Sequence, residues 1–100
     1  MDWVLVVSGN DAFQQRSMAM LGATTPAVGA VSDQSARRLV GSLRPGLVVV
    51  DGDDEYGKQF LISLRLLPRA ARPHAVVVGE ASVGFEAASS LEDALSGAAA

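Results

Sequence analysis

Arg44-Pro45-Gly46-Leu47-Val48-Val49-Val50-Asp51-Gly52-Asp53 is the stretch whose reading decides the fold. Pro45 lacks the amide a helix needs and Gly46 accepts the turn, so the pair closes a preceding helix. Leu47–Val50 is then an unbroken apolar, largely β-branched run, the pattern of a strand buried on both faces. Asp51 stands where the run stops. In an open parallel sheet, ligands and chemistry gather in the crevice at the carboxyl ends of the strands. Asp51 therefore sits where a reactive or metal-binding acid would be placed.

Working outward, the same alternation recurs on both sides. Trp3–Val7 reads as a first buried strand, and Ser8-Gly9-Asn10-Asp11 carries turn and helix-capping chemistry. Phe13, Ser17, Met20 and Leu21 share one face of a first helix, which Gly22 ends. Thr25–Val31 is a second strand, and Pro26 and Gly29 favour an edge position. Ser32 or Asp33 caps a second helix with Ala36, Leu39, Val40 and Leu43 on its apolar stripe. Beyond Asp51, a third helix spans about Glu55 to Leu67, and Pro68 stops it. Ala75–Val78 is a fourth strand, and Val83-Gly84-Phe85-Glu86 has the makings of an early, short fifth. Ser90-Leu91-Glu92-Asp93 opens a last helix in which Leu91, Ala94, Leu95 and Ala98 face inward, while Ala98–Ala100 fray. Strands alternating with helices through short connections predict right-handed βαβ units and a parallel sheet in one domain over residues 1–100.

Composition narrows the function. One hundred residues with 49% hydrophobic side chains and a mean hydropathy of +0.27 fit a small sheet covered on both faces. A net charge of −3 leaves no overall basic field for nucleic acid, and Arg37, Arg38 and Arg44 read as a solvated helix surface. With no cysteine, disulfides, thiolate catalysis and cysteine-based zinc sites are excluded. Trp3–Val7 is too short to span a bilayer and follows no charged leader, so the expectation is a cytoplasmic protein without a membrane role. His74 and the serines lack partners for catalysis, and no glycine-rich phosphate loop is present, so an enzyme is not expected.

In order and spacing, Val28-Gly29-Ala30-Val31-Ser32-Asp33, the helix Ser35–Leu43 and the run Arg44–Asp51 resemble the response-regulator receiver domain of bacterial two-component signalling. The resemblance extends from Val4 to about Leu95. It implies a flavodoxin-like, doubly wound parallel sheet of order 2-1-3-4-5, here with a reduced fourth helix and a short fifth strand. It also places Asp51 at the position of the phosphate-accepting aspartate, where Mg²⁺ would balance the charge of a transferred phosphoryl group.

The rest of the family's switch departs from the pattern. The acidic pair after the first strand is replaced by Ser8-Gly9, the hydroxyl after the fourth strand by Gly79-Glu80, and the lysine after the fifth strand has no counterpart; Lys58, the chain's one lysine, lies on the third helix. If Asp51 is a working acceptor, the acids available to Mg²⁺ are Asp51, Asp11 and Asp53; otherwise no cofactor is expected. Asp11 has a second reading as the cap of the first helix, and Asp53 or Asp54 as the cap of the third.

The expectation is thus a degenerate receiver, a phosphorylation-independent signalling module that binds a protein partner or a second copy of itself. Its candidate binding residues are Ile62 and Leu66 on the third helix, with Val83, Phe85, Leu91 and Leu95 near the last one. The alternatives are a phosphorylatable receiver using Asp51 and a small-molecule sensor using the crevice around Ser8, Asn10, Asp51 and Gly79.

Overall fold

A computed structural model describes residues 3–22, 25–80 and 84–99. Strands β1 (Val4–Val7), β2 (Ala27–Ala30), β3 (Leu47–Asp51), β4 (Ala75–Val78) and β5 (Glu86–Ala88) alternate with helices α1 (Asp11–Leu21), α2 (Asp33–Leu43), α3 (Glu55–Arg65) and α4 (Leu91–Ala99). All strand pairs are parallel and the sheet order is β2-β1-β3-β4-β5. This is the flavodoxin-like arrangement the sequence predicts, and no helix lies between β4 and β5 among the described residues.

Alternation along the strands divides the core in two. Leu5, Val7, Val48, Val50 and Val77 point to one face, where Ala36 of α2 and Phe60, Leu61 and Leu64 of α3 cover them. Val4, Val6, Val49 and Val76 point to the other, under Leu21 of α1 and Leu91, Ala94 and Leu95 of α4. The central strands are therefore apolar at every position up to the Asp51 that ends β3, because a two-sided sheet leaves no face for polar residues. Burying each valine side chain contributes about 1.5–2 kcal/mol, so β1 and β3 anchor the molecule.

Every helix that follows a strand begins at the carboxyl edge of the sheet. Asn10, Ser32 and Asp54 cap α1, α2 and α3, and each accepts hydrogen bonds from amides of the first turn. Asp11, Asp33 and Glu55 add negative charge where the helix dipole favours it. Arginines occupy the opposite ends: Arg44 in the left-handed C-cap of α2, and Arg65 in the last turn of α3.

Several expectations are corrected. β5 forms at Glu86–Ala88 rather than Val83–Glu86, because Glu86, Ala87 and Ala88 pair with Val76, Val77 and Val78. Phe85 is instead half-buried against the α2–α3 core, with the Arg65 guanidinium 5.5 Å above its ring. Leu91 and Leu95 are buried against the sheet, which rules them out as an exposed binding surface. Val83 lies outside the described residues, as do the side chain of Ala98 and Ala100; the helical backbone runs to Ala99, past the point where fraying is expected.

Met20 turns toward solvent, so α1 packs through Phe13, Ser17 and Leu21. β2 is confined to Ala27–Ala30. α3 ends at Arg65, and Leu67 is exposed, not on the sheet. Arg72 accounts for that stop: its guanidinium donates to the carbonyls of Arg65 and Leu67, capping the helix end ahead of a short 3₁₀ turn at Arg69–Ala71. No helix among the described residues is long and apolar enough to cross a membrane.

Candidate functional site

The carboxyl ends of β1, β3 and β4 bring Ser8, Asp51 and Gly79-Glu80 together. Asp51 is the last residue of β3, paired with Val78, and only 7% exposed. The fully buried Ser8 hydroxyl donates to Asp51 Oδ2 at 2.8 Å, and the Asp53 amide donates to Oδ1 at 3.1 Å. Ser8 Oγ in turn accepts the Asn10 amide at 2.9 Å. Its one proton is thus spent on Asp51 and a lone pair on the next loop. Both oxygens of the candidate acceptor are held before any ligand arrives.

The neighbouring acids are engaged in the same way. Asp53 Oδ1 accepts the Glu80 amide at 3.1 Å, tying the β3–α3 loop to the end of β4. Asp54 Oδ2 accepts the Gly9 amide at 2.8 Å, Tyr56 at 3.1 Å and Gly57 at 3.3 Å. A single carboxylate thereby caps α3 and clasps the β1–α1 loop. Gly57 makes that fit possible: a Cβ there would collide with the Asp51 carbonyl oxygen, so α3 approaches β3 only because residue 57 has no side chain. Asp54, not Asp53, is the cap.

Gly9 stands where the second acid of a receiver would be. A Cβ at this position would lie 2.6 Å from Tyr56 Cδ2, so the half-exposed Tyr56 ring occupies the space a carboxylate would need. Asp11 does not come in from the side. Asn10 is the cap of α1, with Oδ1 accepting the amides of Ala12 and Phe13, and Asp11 is the exposed first helical residue. Asn10 takes the cap because its backbone is extended (φ −90°, ψ 116°), which aims its side chain back at the free amides. Among the described residues, no three His, Cys, Asp or Glu side chains converge into a metal-binding group, so Asp51, Asp11 and Asp53 do not form one.

Two contacts give the site features that the sequence does not announce. Lys58 Nζ lies 3.1 Å from Glu80 Oε2, bringing a cation to the mouth of the crevice. The hydrogen bond to Glu80, then its charge, raises the Lys58 pKa above its usual 10.5, and Glu55 and Asp53 add to the effect. Gln14 Nε2 lies 3.0 Å from each of the carbonyls of Val6, Ser8 and Ala30, joining α1 to the ends of β1 and β2. Partners many residues apart in sequence leave no local pattern; the only available signal for Gln14 is a polar residue at a half-buried helical position. Ile62 and Leu66, 58% and 82% exposed, lie well away on the outer side of α3.

No protein-family model and no curated relative matches the chain. Solved structures do. The NMR structure of the pseudo-receiver domain of the CikA protein aligns with a TM-score of 0.73 at 19% identity, over 90% of this chain and 84% of that one. The N-terminal domain of a response regulator receiver protein from Methanoculleus marisnigri JR1 gives 0.68 at 17% identity, over 83% and 70%. The signal receiver domain of a LuxO repressor protein from Vibrio parahaemolyticus gives 0.67 at 14%, over 86% and 75%. At these identities the likeness is one of fold: the chain has the architecture of receiver domains.

Proposed function

We propose that this chain is a degenerate receiver-like module that acts in bacterial-type cytoplasmic signalling by binding a protein partner, without taking up phosphate and without catalytic activity. One observation carries the reading. Each oxygen of Asp51 accepts a hydrogen bond, one of them from the buried Ser8 hydroxyl, and a glycine packed against the Tyr56 ring stands where the resemblance expects the second acid. In-line attack by Asp51 would use an oxygen already drawn on by a hydrogen bond, and would lack the second acid that helps hold a metal against the developing charge. The partner surface in this reading is the outer stripe of α3, centred on Ile62 and Leu66. Two exposed aliphatic side chains one helical turn apart are the footprint of a docking contact.

The test is incubation with acetyl phosphate and Mg²⁺, followed by intact mass, alongside amide spectra with beryllofluoride. The expected result is no phosphoryl adduct and no shift at Asp51; an adduct that disappears in Asp51→Asn overturns the proposal. Ile62→Asp is expected to abolish self-association or partner binding while leaving the melting temperature unchanged, and loss of neither counts against that surface.

The second reading, a phosphorylatable receiver, draws on the Lys58–Glu80 pair, because a lysine that let go of Glu80 would be free to meet a phosphoryl group at the crevice. It predicts the adduct, and its dependence on Lys58 as well as Asp51.

A further inference from the structure

An open cavity runs from the amino ends of the strands along the α1–α4 face of the sheet to Ala88 and Ser89, where β5 leads into α4. It has a volume of about 660 Å³, within the range of small-molecule sites. Residues at or just before the start of every strand reach it: Thr25 ahead of β2, Trp3 ahead of β1, Gly46 ahead of β3, His74 ahead of β4 and Glu86 opening β5. Its floor is apolar, made by Val4, Leu47, Val76, Ala88 and Ala94 from the α1–α4 side of the core. Small side chains at Ala88 and Ala94, where β5 meets α4, leave the space open.

The lining has a definite electrical sign. Glu86 and Asp93 both line the cavity, no lysine or arginine does, and His74 is the single basic side chain among the lining residues. Glu86 meets His74 Nε2 at 2.7 Å, leaving its second carboxylate oxygen for another donor. Asp93 accepts the Ser89 hydroxyl from across the β5–α4 turn. Trp3 completes the wall, held in place by its carbonyl, which accepts the Gly46 amide at 2.9 Å. Two carboxylates and an indole around an apolar floor are the elements that recognise an organic cation: charge, an aromatic surface and a place for the hydrocarbon body.

We propose that this cavity is a binding site for a small organic cation, an amine with an apolar or aromatic body. The ammonium sits between Glu86 and Asp93, and the body lies against Trp3 and the valines of β1 and β4. This site is independent of the docking surface on α3 and of any chemistry at Asp51.

Trp3 is the only tryptophan of the chain, so its fluorescence reports on this cavity alone. The experiment is a titration of the protein with phenethylamine, 2-phenylethanol and phenylacetate, read by Trp3 fluorescence and by amide shifts at His74 and Glu86–Ala88. The amine is expected to give a saturable change in both readouts and to bind at least about tenfold more tightly than the alcohol, while the acid does not bind. Glu86→Gln and Asp93→Asn are each expected to weaken the amine about tenfold. Both side chains are exposed, so the variants should fold, which far-ultraviolet circular dichroism checks. Equal binding of amine and alcohol would reduce the site to an apolar hollow and overturn the proposal. So would tighter binding of the acid, the absence of saturation with any probe, or full amine affinity in both folded variants.

Discussion

The two ends of the sheet spend their polar groups differently. At the carboxyl end, Asp51, Asp53 and Asp54 are each bound by backbone amides or a buried hydroxyl, and the loops lock onto one another. In the cavity that starts at the amino end, His74 meets Glu86, and Ser89 meets Asp93 where β5 leads into α4, around open space. In a doubly wound sheet the carboxyl end is where ligands are expected. Here the acids of that end are engaged with loop amides and a hydroxyl, and the open cavity begins at the other.

If that contrast is sound, substitutions at the carboxyl end should cost folding energy and those at the amino end should not. The largest expected effect is at Gly57. Gly57→Ala forces a methyl into the Asp51 carbonyl and should lower the unfolding free energy by about 3 kcal/mol, measured by urea denaturation. A loss below about 1 kcal/mol would mean that α3 moves easily off β3. Next comes the same kind of change made at both ends. Asp54→Ala removes a helix cap and the link to Gly9, and should cost about 1–2 kcal/mol. Glu86→Gln, in a pair whose side chains are 61–62% exposed, should cost less than about 0.5 kcal/mol. Equal costs would erase the contrast.

The smallest effect is electrostatic, at Lys58. Because its folded pKa is raised, the pairing with Glu80 contributes fully below the ordinary lysine pKa and is lost as pH rises through the folded value. Stability of the wild type should therefore fall between about pH 8 and about pH 11 by more than that of Lys58→Met, measured as urea midpoints. Identical slopes would show that the ion pair does not persist in solution.

Much of this fold was legible because a sheet covered on both sides must be written in unbroken apolar runs. Leu5–Val7, Val48–Val50 and Val76–Val77 could be nothing else. Caps were nearly as clear, since Ser32 and Asp54 announce themselves by chemistry, although Asn10 took the role that Asp11 also fitted. An edge strand of Glu86, Ala87 and Ala88 has no periodicity to read, whereas the apolar Val83 and Phe85 draw the expectation of a strand a few residues early. Helical spacing identified Leu91 and Leu95 as an apolar face but cannot say whether a sheet or a partner covers it. At the site, Asp51 was legible from its place at the end of a strand. The bonds that engage it and its neighbouring acids are not: Ser8 with Asp51, Gly9 with Asp54 and Glu80 with Asp53 join residues 43, 45 and 27 positions apart. The amino-end cavity assembles from five strand starts, none of which carries a motif.

The placement of charge along the helices has a consequence of its own. Acids crowd the helix starts at the carboxyl edge, while Arg44 and Arg65 occupy helix ends and Arg69 and Arg72 follow close behind. A net charge of −3 therefore hides an uneven layout, with acids at the helix starts and arginines at and after the ends of α2 and α3, each set against the helix dipoles. Such a body does not meet a charged surface at random. It meets a cationic one with its acidic loops and an anionic one with the arginines that close and follow α2 and α3.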